Sequence, residues 1–267
     1  MFTHLKTAIL SALLLSTLLT GGAFSATKEV DISRGQIWIR GNTQLKLTDN
    51  FGAFAAAGSR YNYALSKKVN GVETDIESQN AWLQELWIGP VWFAHTSKKV
   101  NLTANLLYRP MFYYMDEKAG DAYVRHTFTS QYMLTINTKL LTLRHRLMFW
   151  EQLAAEQGVT SFDNELIIRP LLGVKIPINK NISFILDEEL YLKPTADDTD
   201  KDGTEFVMRN ALWIGPSITF GNGWNITVQY VPTYIVNSHN DALSSTVWDH
   251  YAYIDLSKSI SFAKKKK

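Results

Sequence analysis

The stretch of sequence that decides the fold is Trp224-Asn-Ile-Thr-Val-Gln-Tyr-Val-Pro-Thr-Tyr-Ile-Val236. Every second residue from Trp224 to Val236 is apolar or aromatic, whereas Asn225, Thr227 and Gln229 lie between them. A period of two places alternate side chains on opposite faces of a β-strand. The stretch therefore predicts a strand with one apolar and one polar face, about twice as long as an average strand of ~5–6 residues.

The same alternation continues along the chain from Gln36 onward. Residues 140–151, for example, place Leu143 and Leu147 opposite Arg144 and Arg146. Eleven segments show the pattern clearly. Each is long enough to cross a bilayer as a tilted strand, which needs ~9–11 residues. The segments lie at about 36–47, 51–65, 79–93, 99–114, 122–137, 140–151, 164–177, 181–193, 204–220, 224–237 and 247–262.

Short and long connections alternate between these segments. Short turns at one end and long loops at the other are typical of a closed antiparallel transmembrane β-barrel with periplasmic turns and extracellular loops. Closure also removes the exposed edges that long apolar strands would present, so the predicted fold class is all-β. The short connections are 48–50, 95–98, 137–139, 179–181 and 221–223, and the long ones are about 66–78, 115–121, 152–163, 194–203 and 238–246.

The strand number is predicted from parity. If the last strand ends in the periplasm, the first of the eleven segments runs downward, and the even count that is usual for bacterial barrels needs one more strand upstream. Residues 29–33, with a turn near Arg34 and Gly35, can supply a short one. The sequence therefore predicts about twelve strands, with ten as the alternative if two hairpins are miscounted.

Composition excludes several classes of protein. The 267 residues include no cysteine, 46% are hydrophobic and 19% are charged, and the formal net charge is +2. Without cysteine, a disulfide scaffold and a thiolate zinc site are excluded. The near-neutral charge gives no reason to expect a nucleic-acid partner.

The first residues have the features of a secretory signal peptide. Lys6 precedes an apolar run over residues 8–19, and Ala23-Phe24-Ser25 offers a small-x-small cleavage site. We predict cleavage after Ser25, with cleavage after Ala26 as the alternative, so that residues 1–25 are removed and residues 26–262 form the barrel. The basic tail at residues 263–267 is expected to lie free in the periplasm or to contact anionic headgroups.

The last strand resembles a feature of a known group of proteins. Residues 248–262 alternate and end on Ile260 and Phe262, which is similar to the C-terminal assembly signal of the small outer-membrane β-barrels of Gram-negative bacteria. Ala263 and four lysines follow, whereas that group usually ends at the aromatic residue. More narrowly, Ile37-Trp38, the turn at 48–50 and Arg60 resemble an uncharacterised barrel family with no assigned activity.

The resemblance implies a location in the Gram-negative outer membrane after export. It also implies three partners, which are outer-membrane lipid, lipopolysaccharide and the barrel-assembly machinery. The oligomeric state stays open, because neither the strand pattern nor the resemblance specifies a contact between copies.

The polar faces of the strands, taken as the lumen, carry many charges. Interleaved opposite charges in a narrow, low-dielectric interior are expected to pair. The pattern predicts either a structural ladder that fills the barrel or a narrow pore whose excess positive charge favours anions. The predicted lumen charges are Arg40, Lys46, Arg60, Glu85, Arg109, Arg125, Arg144, Arg146, Glu165, Arg169, Lys175, Asp187, Glu189, Glu205, Arg209 and Asp255.

Aromatic residues near the strand ends predict the two girdles that mark the interfaces of a membrane barrel. A second aromatic feature is a motif that occurs twice. Residues 86–90 and 212–216 both read Leu-Trp-Ile-Gly-Pro, and each is followed by a Tyr-x-Pro, at Tyr108 and Tyr230. Duplication of a half-barrel would explain both, and coincidence is the alternative. The predicted girdle residues are Trp38, Trp82, Trp92, Tyr113, Tyr114, Trp150, Phe220, Trp224, Tyr234 and Trp248.

One acidic loop has part of a calcium-binding pattern. Asp198, Asp200 and Asp202 precede Gly203, as in the first half of a calcium loop. The twelfth position is Arg209 instead of glutamate, so the bidentate ligand is missing. We expect a solvated acidic loop, with calcium as the alternative and no other cofactor.

Catalysis by a lipid hydrolase would need a histidine paired with a serine. His126 and Ser130 are separated by ~13 Å along a strand, too far for a hydrogen bond. His95 and Ser97 have a suitable spacing but fall in a predicted periplasmic turn. The predicted function is therefore a non-enzymatic outer-membrane barrel that acts as a narrow channel or a structural component. A lipid-modifying enzyme and a surface-binding or adhesion barrel are the alternatives.

Overall fold

The computed structural model describes residues 28–69, 72–74, 81–114, 123–155, 164–192, 194, 207–237 and 244–263. These residues form long strands, because β-branched and aromatic residues alternate with polar ones along them. The strands are β1 (Lys28–Lys46), β2 (Phe51–Val69), β3 (Val72–Thr74), β4 (Ala81–Thr96), β5 (Val100–Tyr114), β6 (Tyr123–Asn137), β7 (Thr142–Ala155), β8 (Asn164–Pro177), β9 (Ile182–Leu192), β10 (Val207–Thr219), β11 (Trp224–Asn237) and β12 (Ser244–Ser261).

The long strands close into a barrel. From β1 to β12 each long strand pairs antiparallel with the next, and β1 then pairs in parallel with β12 from Lys28 and Ser244 to Lys46 and Ser261. The short strand β3 pairs only with the end of β2 and lies outside the wall. The described residues therefore form a closed wall of eleven strands, which confirms the predicted all-β closed barrel.

The wall that the described residues form has eleven strands, so the predicted count of about twelve is one too high and the alternative of ten is one too low. Residues 29–33 do not form a separate strand with a turn at Arg34 and Gly35, because Lys28–Lys46 is one continuous strand. It pairs with β2 on one side from Val30 to Lys46, and with β12 on the other side from Lys28 to Lys46. Parallel closure between β1 and β12 removes the need for an even count, so the parity argument fails at this seam.

The strand alternation separates an apolar outer face from an inner face. On β4, Leu86 and Ile88 point outward and are 48% and 60% exposed, whereas Glu85 and Trp87 point inward and are 1% and 5% exposed. No helix among the described residues is long and apolar enough to cross a membrane.

Short turns join the strands at one end, which we name the short-turn rim: residues 47–50, 97–99, 138–141, 178–181 and 220–223. Side chains early in these turns accept backbone N–H bonds and so fix the chain reversal. Thr48 Oγ1 accepts from Phe51, Ser97 Oγ from Val100 and Asn179 Oδ1 from Ile182. The opposite end is the long-loop rim, where most of the long connections lie outside the described residues.

The repeated motif is also repeated in three dimensions. Ile88 pairs with Tyr108 in the first copy, as Ile214 pairs with Tyr230 in the second. In each copy the tyrosine hydroxyl lies 2.6 Å from a histidine Nδ1 on the next strand, at His126 and His250. The two copies lie on β4–β6 and β10–β12, so matching sequence has produced matching local structure in two parts of the wall.

Because the number of strands is odd, the start of β1 and the end of β12 are predicted to lie at opposite rims of the barrel. Lys28 begins β1 at the long-loop rim, and Ser261 ends β12 at the short-turn rim. The chain has no cysteine, so single cysteines can be labelled selectively. In intact cells a membrane-impermeant maleimide should label only one of Lys28→Cys and Ser261→Cys, with Asp49→Cys behaving as Ser261→Cys. Equal labelling of both would contradict an odd count.

Candidate functional site

The lumen contains a belt of cationic, acidic and aromatic side chains, which we name the lumen belt. Its residues lie between seven and eleven residues from the short-turn end of their strands, so they occupy one level of the barrel. All of them lie on the inward-facing positions of the alternation. The lumen belt consists of Trp38, Arg60, Glu85, Trp87, Arg109, Trp150, Arg169, Glu189, Tyr191 and Arg209.

Glu85 on β4 forms the first charged cluster. Its Oε2 accepts a hydrogen bond from Arg109 Nε at 3.0 Å and a second bond from Arg109 Nη2. Arg60 Nη2 donates to the same oxygen at 3.2 Å. One carboxylate is therefore shared by two guanidinium groups from the strands on either side of it.

Glu189 on β9 forms the second cluster in the same way. Arg169 Nε donates to Glu189 Oε1 at 3.0 Å, and Arg146 Nη2 donates to the same oxygen. Arg169 Nη2 also donates to the Tyr191 hydroxyl at 2.6 Å. Each of the two clusters thus holds two cations for one anion.

Aromatic rings link the two clusters through cation–π contacts. Arg109 Cζ lies 4.1 Å from the Trp87 ring centroid and 4.6 Å from that of Trp150. Arg169 Cζ lies 4.9 Å from the same Trp150 ring and 4.1 Å from the ring of Tyr191. A desolvated contact of this kind contributes ~2 kcal/mol or more. The rings therefore stabilise the guanidinium charge that each carboxylate leaves uncompensated.

An aromatic cluster continues the belt across the closing seam. Trp38 packs at 4.7 Å from Tyr253, which packs at 5.2 Å from Trp213. Arg60 Cζ lies 3.7 Å from the Trp38 ring, which connects this cluster to Glu85. Because Trp38 is on β1 and Tyr253 on β12, these contacts reinforce the parallel seam from inside.

Two more ion pairs lie nearer the short-turn rim. Arg144 Nη1 donates to Asp187 Oδ2 at 2.7 Å, and Arg40 Nε donates to Asp255 Oδ1 at 2.7 Å. Arg144 is on β7 and Asp187 on β9, so this pair passes over β8 at Gly173, which lies between them in the register. A glycine is required there, because a Cβ on Gly173 would lie 1.9 Å from Asp187 Oδ1.

Burial determines the electrostatics of the lumen belt. Arg109 and Glu189 are 0% exposed, so water does not reach them. Removing one partner of a buried ion pair costs ~3–5 kcal/mol, because the other charge is left unpaired. The indole nitrogens of Trp87 and Trp150 are buried with no acceptor among the described residues, so these rings act through their faces.

The remaining predicted lumen charges have other surroundings. Arg209 Nη1 donates to Tyr251 Oη at 3.4 Å, and Lys46 Nζ lies 5.1 Å from the Phe93 ring. Arg125 lies on β6 opposite Met111, and Lys175 on β8 opposite Thr142. Glu165 lies on β8, but its side chain is outside the described residues, as are Glu205 and the predicted calcium ligands Asp198, Asp200 and Asp202. Among the described residues, no group of three or more acidic or histidine side chains could hold a metal ion.

The predicted assembly residues lie at the short-turn rim. Ile260 pairs with Leu45 across the seam, and the Phe262 N–H donates to the Lys46 carbonyl at 2.8 Å. The Phe262 ring is 65% exposed. Recognition of this strand by an assembly machinery stays a prediction.

Two residues of the predicted girdles lie elsewhere. Trp38 and Trp150 are part of the lumen belt, because they occupy inward-facing positions of their strands, as Arg40 and Arg146 do. The sequence interpretation also missed buried Asp249, whose Oδ2 accepts from the Tyr251 hydroxyl at 2.7 Å. The alternation along each strand is the one sequence signal that could have placed these residues in the lumen.

The residues considered for catalysis do not form a dyad. His126 Nδ1 is bonded to the Tyr108 hydroxyl, and Ser97 Oγ donates to the Val100 carbonyl at 2.8 Å and accepts from its N–H at 2.9 Å. Ser97 therefore stabilises a short turn. His126 and Ser130 occupy the same outward face, four residues apart.

A closed wall with an apolar exterior and a charged interior defines an outer-membrane-type β-barrel. The chain belongs to the family described as Protein of unknown function (DUF2490), whose model matches residues 35–244. This confirms the predicted resemblance to an uncharacterised barrel family. No curated protein matches the chain. A solved structure that is similar is the translocator domain of autotransporter NalP from Neisseria meningitidis, with 15% identity, a TM-score of 0.39, and coverage of 86% of this chain and 91% of that chain.

The missing side chain at Gly173 leaves space for Asp187, which predicts that alanine is tolerated less well there than at another glycine of the wall. Gly173→Ala should lower the free energy of unfolding by ~1–3 kcal/mol, because the added Cβ displaces Asp187 from Arg144. The matched control is Gly41→Ala, where a Cβ meets nothing within 4 Å and the change should stay within about 0.5 kcal/mol. Urea unfolding in detergent micelles measures both. An equal change in the free energy of unfolding for both variants would show that the position of Asp187 does not depend on the missing side chain at Gly173.

Proposed function

We propose that this protein is a Gram-negative outer-membrane barrel that acts as a structural component of the membrane, with its lumen closed by the lumen belt. The observation that carries the proposal is the complete burial of Glu189 and Arg109 at the level of the belt. A side chain that a water molecule cannot reach does not line an open pathway at that level.

The proposed location is supported by the outer face and by the N-terminal sequence. Large apolar side chains such as Ile88, Leu106 and Leu172 are 58–60% exposed on the outside of the wall. Exposed apolar surface of this extent is stable when it faces lipid. Together with the signal-like residues 1–25, this favours export and insertion into the outer membrane, with lipid, lipopolysaccharide and the barrel-assembly machinery as partners.

A closed lumen is also consistent with the size of the barrel. A barrel of about eight strands is just wide enough for side chains to fill, whereas barrels of 16–18 strands leave an aqueous channel. An eleven-stranded barrel lies between these sizes and needs long side chains to fill it. Arginine, tryptophan and tyrosine supply that length in the lumen belt.

A narrow anion channel is the second candidate function. Each of the two glutamate clusters holds two arginines, so the lumen carries excess positive charge at the belt. Rings of arginine favour anions in pores. This candidate requires the belt side chains to move apart, since Arg109 is fully buried as it stands.

Lipid hydrolysis is disfavoured by the orientation of the candidate side chains. The Ser97 hydroxyl is engaged by Val100, and Tyr108 occupies Nδ1 of His126. A nucleophile would need a base within ~2.6–3.2 Å. We therefore propose a non-enzymatic role.

Planar bilayer recordings test this proposal. The refolded protein should show no step conductance above background, because the lumen belt blocks the lumen. The double variant Arg109→Ala with Trp150→Ala should conduct, because it removes two adjacent belt side chains. The control Leu106→Ala, an outward truncation on the same strand, should stay closed. Anion-selective conductance of the wild-type protein would favour the channel, and a closed double variant would show that other side chains block the lumen.

A further inference from the structure

The outer face of the wall has a depression, which we name the outer groove. It is lined on the outside by two rows of residues that are aligned by the register: Gly41, Ala57 and Leu86 form one row, and Thr43, Ala55 and Ile88 form the other. Its volume is about 430 Å³. Small residues on β1 and β2 form the floor, and β4 forms a wall.

Larger side chains complete the rim of the outer groove. Leu256 on β12 pairs with Gly41 and is 42% exposed, so its side chain flanks the groove on the side opposite β4. Ile39 is 54% exposed and lies two residues from Gly41, toward the long-loop rim. The groove is therefore bounded on both sides and at one end, and the other end opens toward the short-turn rim.

Positive charge lies at that open end. Lys258 pairs with Thr43, three residues before the end of β12, and its Nζ lies 4.7 Å from the Trp224 ring centroid. Beyond β12, the described chain ends at Ala263, and the sequence continues with four lysines. A cation beside a tryptophan at the edge of an apolar outer face is typical of a membrane interface.

We propose that the outer groove binds one acyl chain of an anionic phospholipid whose phosphate lies at Lys258. The order of groups along the wall matches that of a lipid, with the charge at the rim and the apolar groove deeper in the membrane. This inference rests on the proposed membrane location and is independent of whether the lumen is closed.

A protein partner fits the outer groove less well. The groove presents six outward residues, whereas a stable protein interface uses ~20–30 residues on each side. A second copy of this chain seated on the groove would also bring its own Lys258 close by, which would add like charge. A flexible acyl chain needs no larger matching surface, and the anionic headgroup complements Lys258.

Native mass spectrometry of protein from mixed phosphatidylglycerol and phosphatidylcholine micelles tests the proposal. The wild-type protein should retain one phosphatidylglycerol in preference to phosphatidylcholine. Gly41→Leu with Ala57→Leu fills the groove and should lower that retention at least fivefold. The control Ala252→Leu adds a leucine side chain to the outer face of β12, away from the groove, and should retain lipid as the wild type does.

Lys258→Gln is the second variant, and it leaves the barrel wall unchanged. It should weaken phosphatidylglycerol retention about fivefold, the ~1 kcal/mol expected for one interfacial lysine, without changing phosphatidylcholine retention. Unchanged retention in both the groove variant and Lys258→Gln would overturn the proposal. A dimer in light scattering that the groove variant dissociates would assign the groove to a second copy and also overturn it. Conductance and fractionation of the wild-type protein report separately on the proposed function.

Discussion

A charged group that water cannot reach must find its partners inside the protein, and this constraint governs the interior of the barrel. Arg109 and Glu189 are fully buried, and a buried unpaired charge would cost several kcal/mol. The structure meets the constraint by sharing Glu85 between Arg60 and Arg109, and by stacking guanidinium groups on aromatic rings. Each strand therefore contributes to the wall through backbone pairing and to the interior through its inward side chains.

The same constraint links the strand count to the residues of the lumen. Eleven strands enclose more space than aliphatic side chains fill with ease, and arginine, tryptophan and tyrosine span it. Trp38 and Tyr253 pack at 4.7 Å across the seam between β1 and β12. Parallel pairing is slightly less stable per residue than antiparallel pairing. The aromatic contacts therefore add stability at the parallel pairing, where each residue pair contributes slightly less.

The sequence predicts the barrel and the two faces of its wall, because side chains alternate with a period of two and each strand buries only one of its faces. It does not predict the number of strands, since parallel closure between Lys28–Lys46 and Ser244–Ser261 depends on a contact between the first and the last strand. It also does not predict which carboxylate meets which arginine. Arg144 reaches Asp187 across an intervening strand, and that reach depends on Gly173 having no side chain. Trp150 lies next to the end of the predicted segment 140–151, which favours a girdle, whereas the strand continues to Ala155 and the ring contacts Arg109 inside the barrel.

The free energy of unfolding of Glu189→Gln tests most directly whether paired buried charge holds the barrel together. Its matched control is Glu188→Gln, the same change at the adjacent outward residue, which accepts a hydrogen bond from Asn210 at 3.3 Å. The account predicts that Glu189→Gln loses ~3–5 kcal/mol, because Arg146 and Arg169 would lose the buried carboxylate that they share. The control should lose less than about 1 kcal/mol. Equal urea midpoints for the two variants in detergent micelles would contradict the account and would indicate a wide, wet lumen.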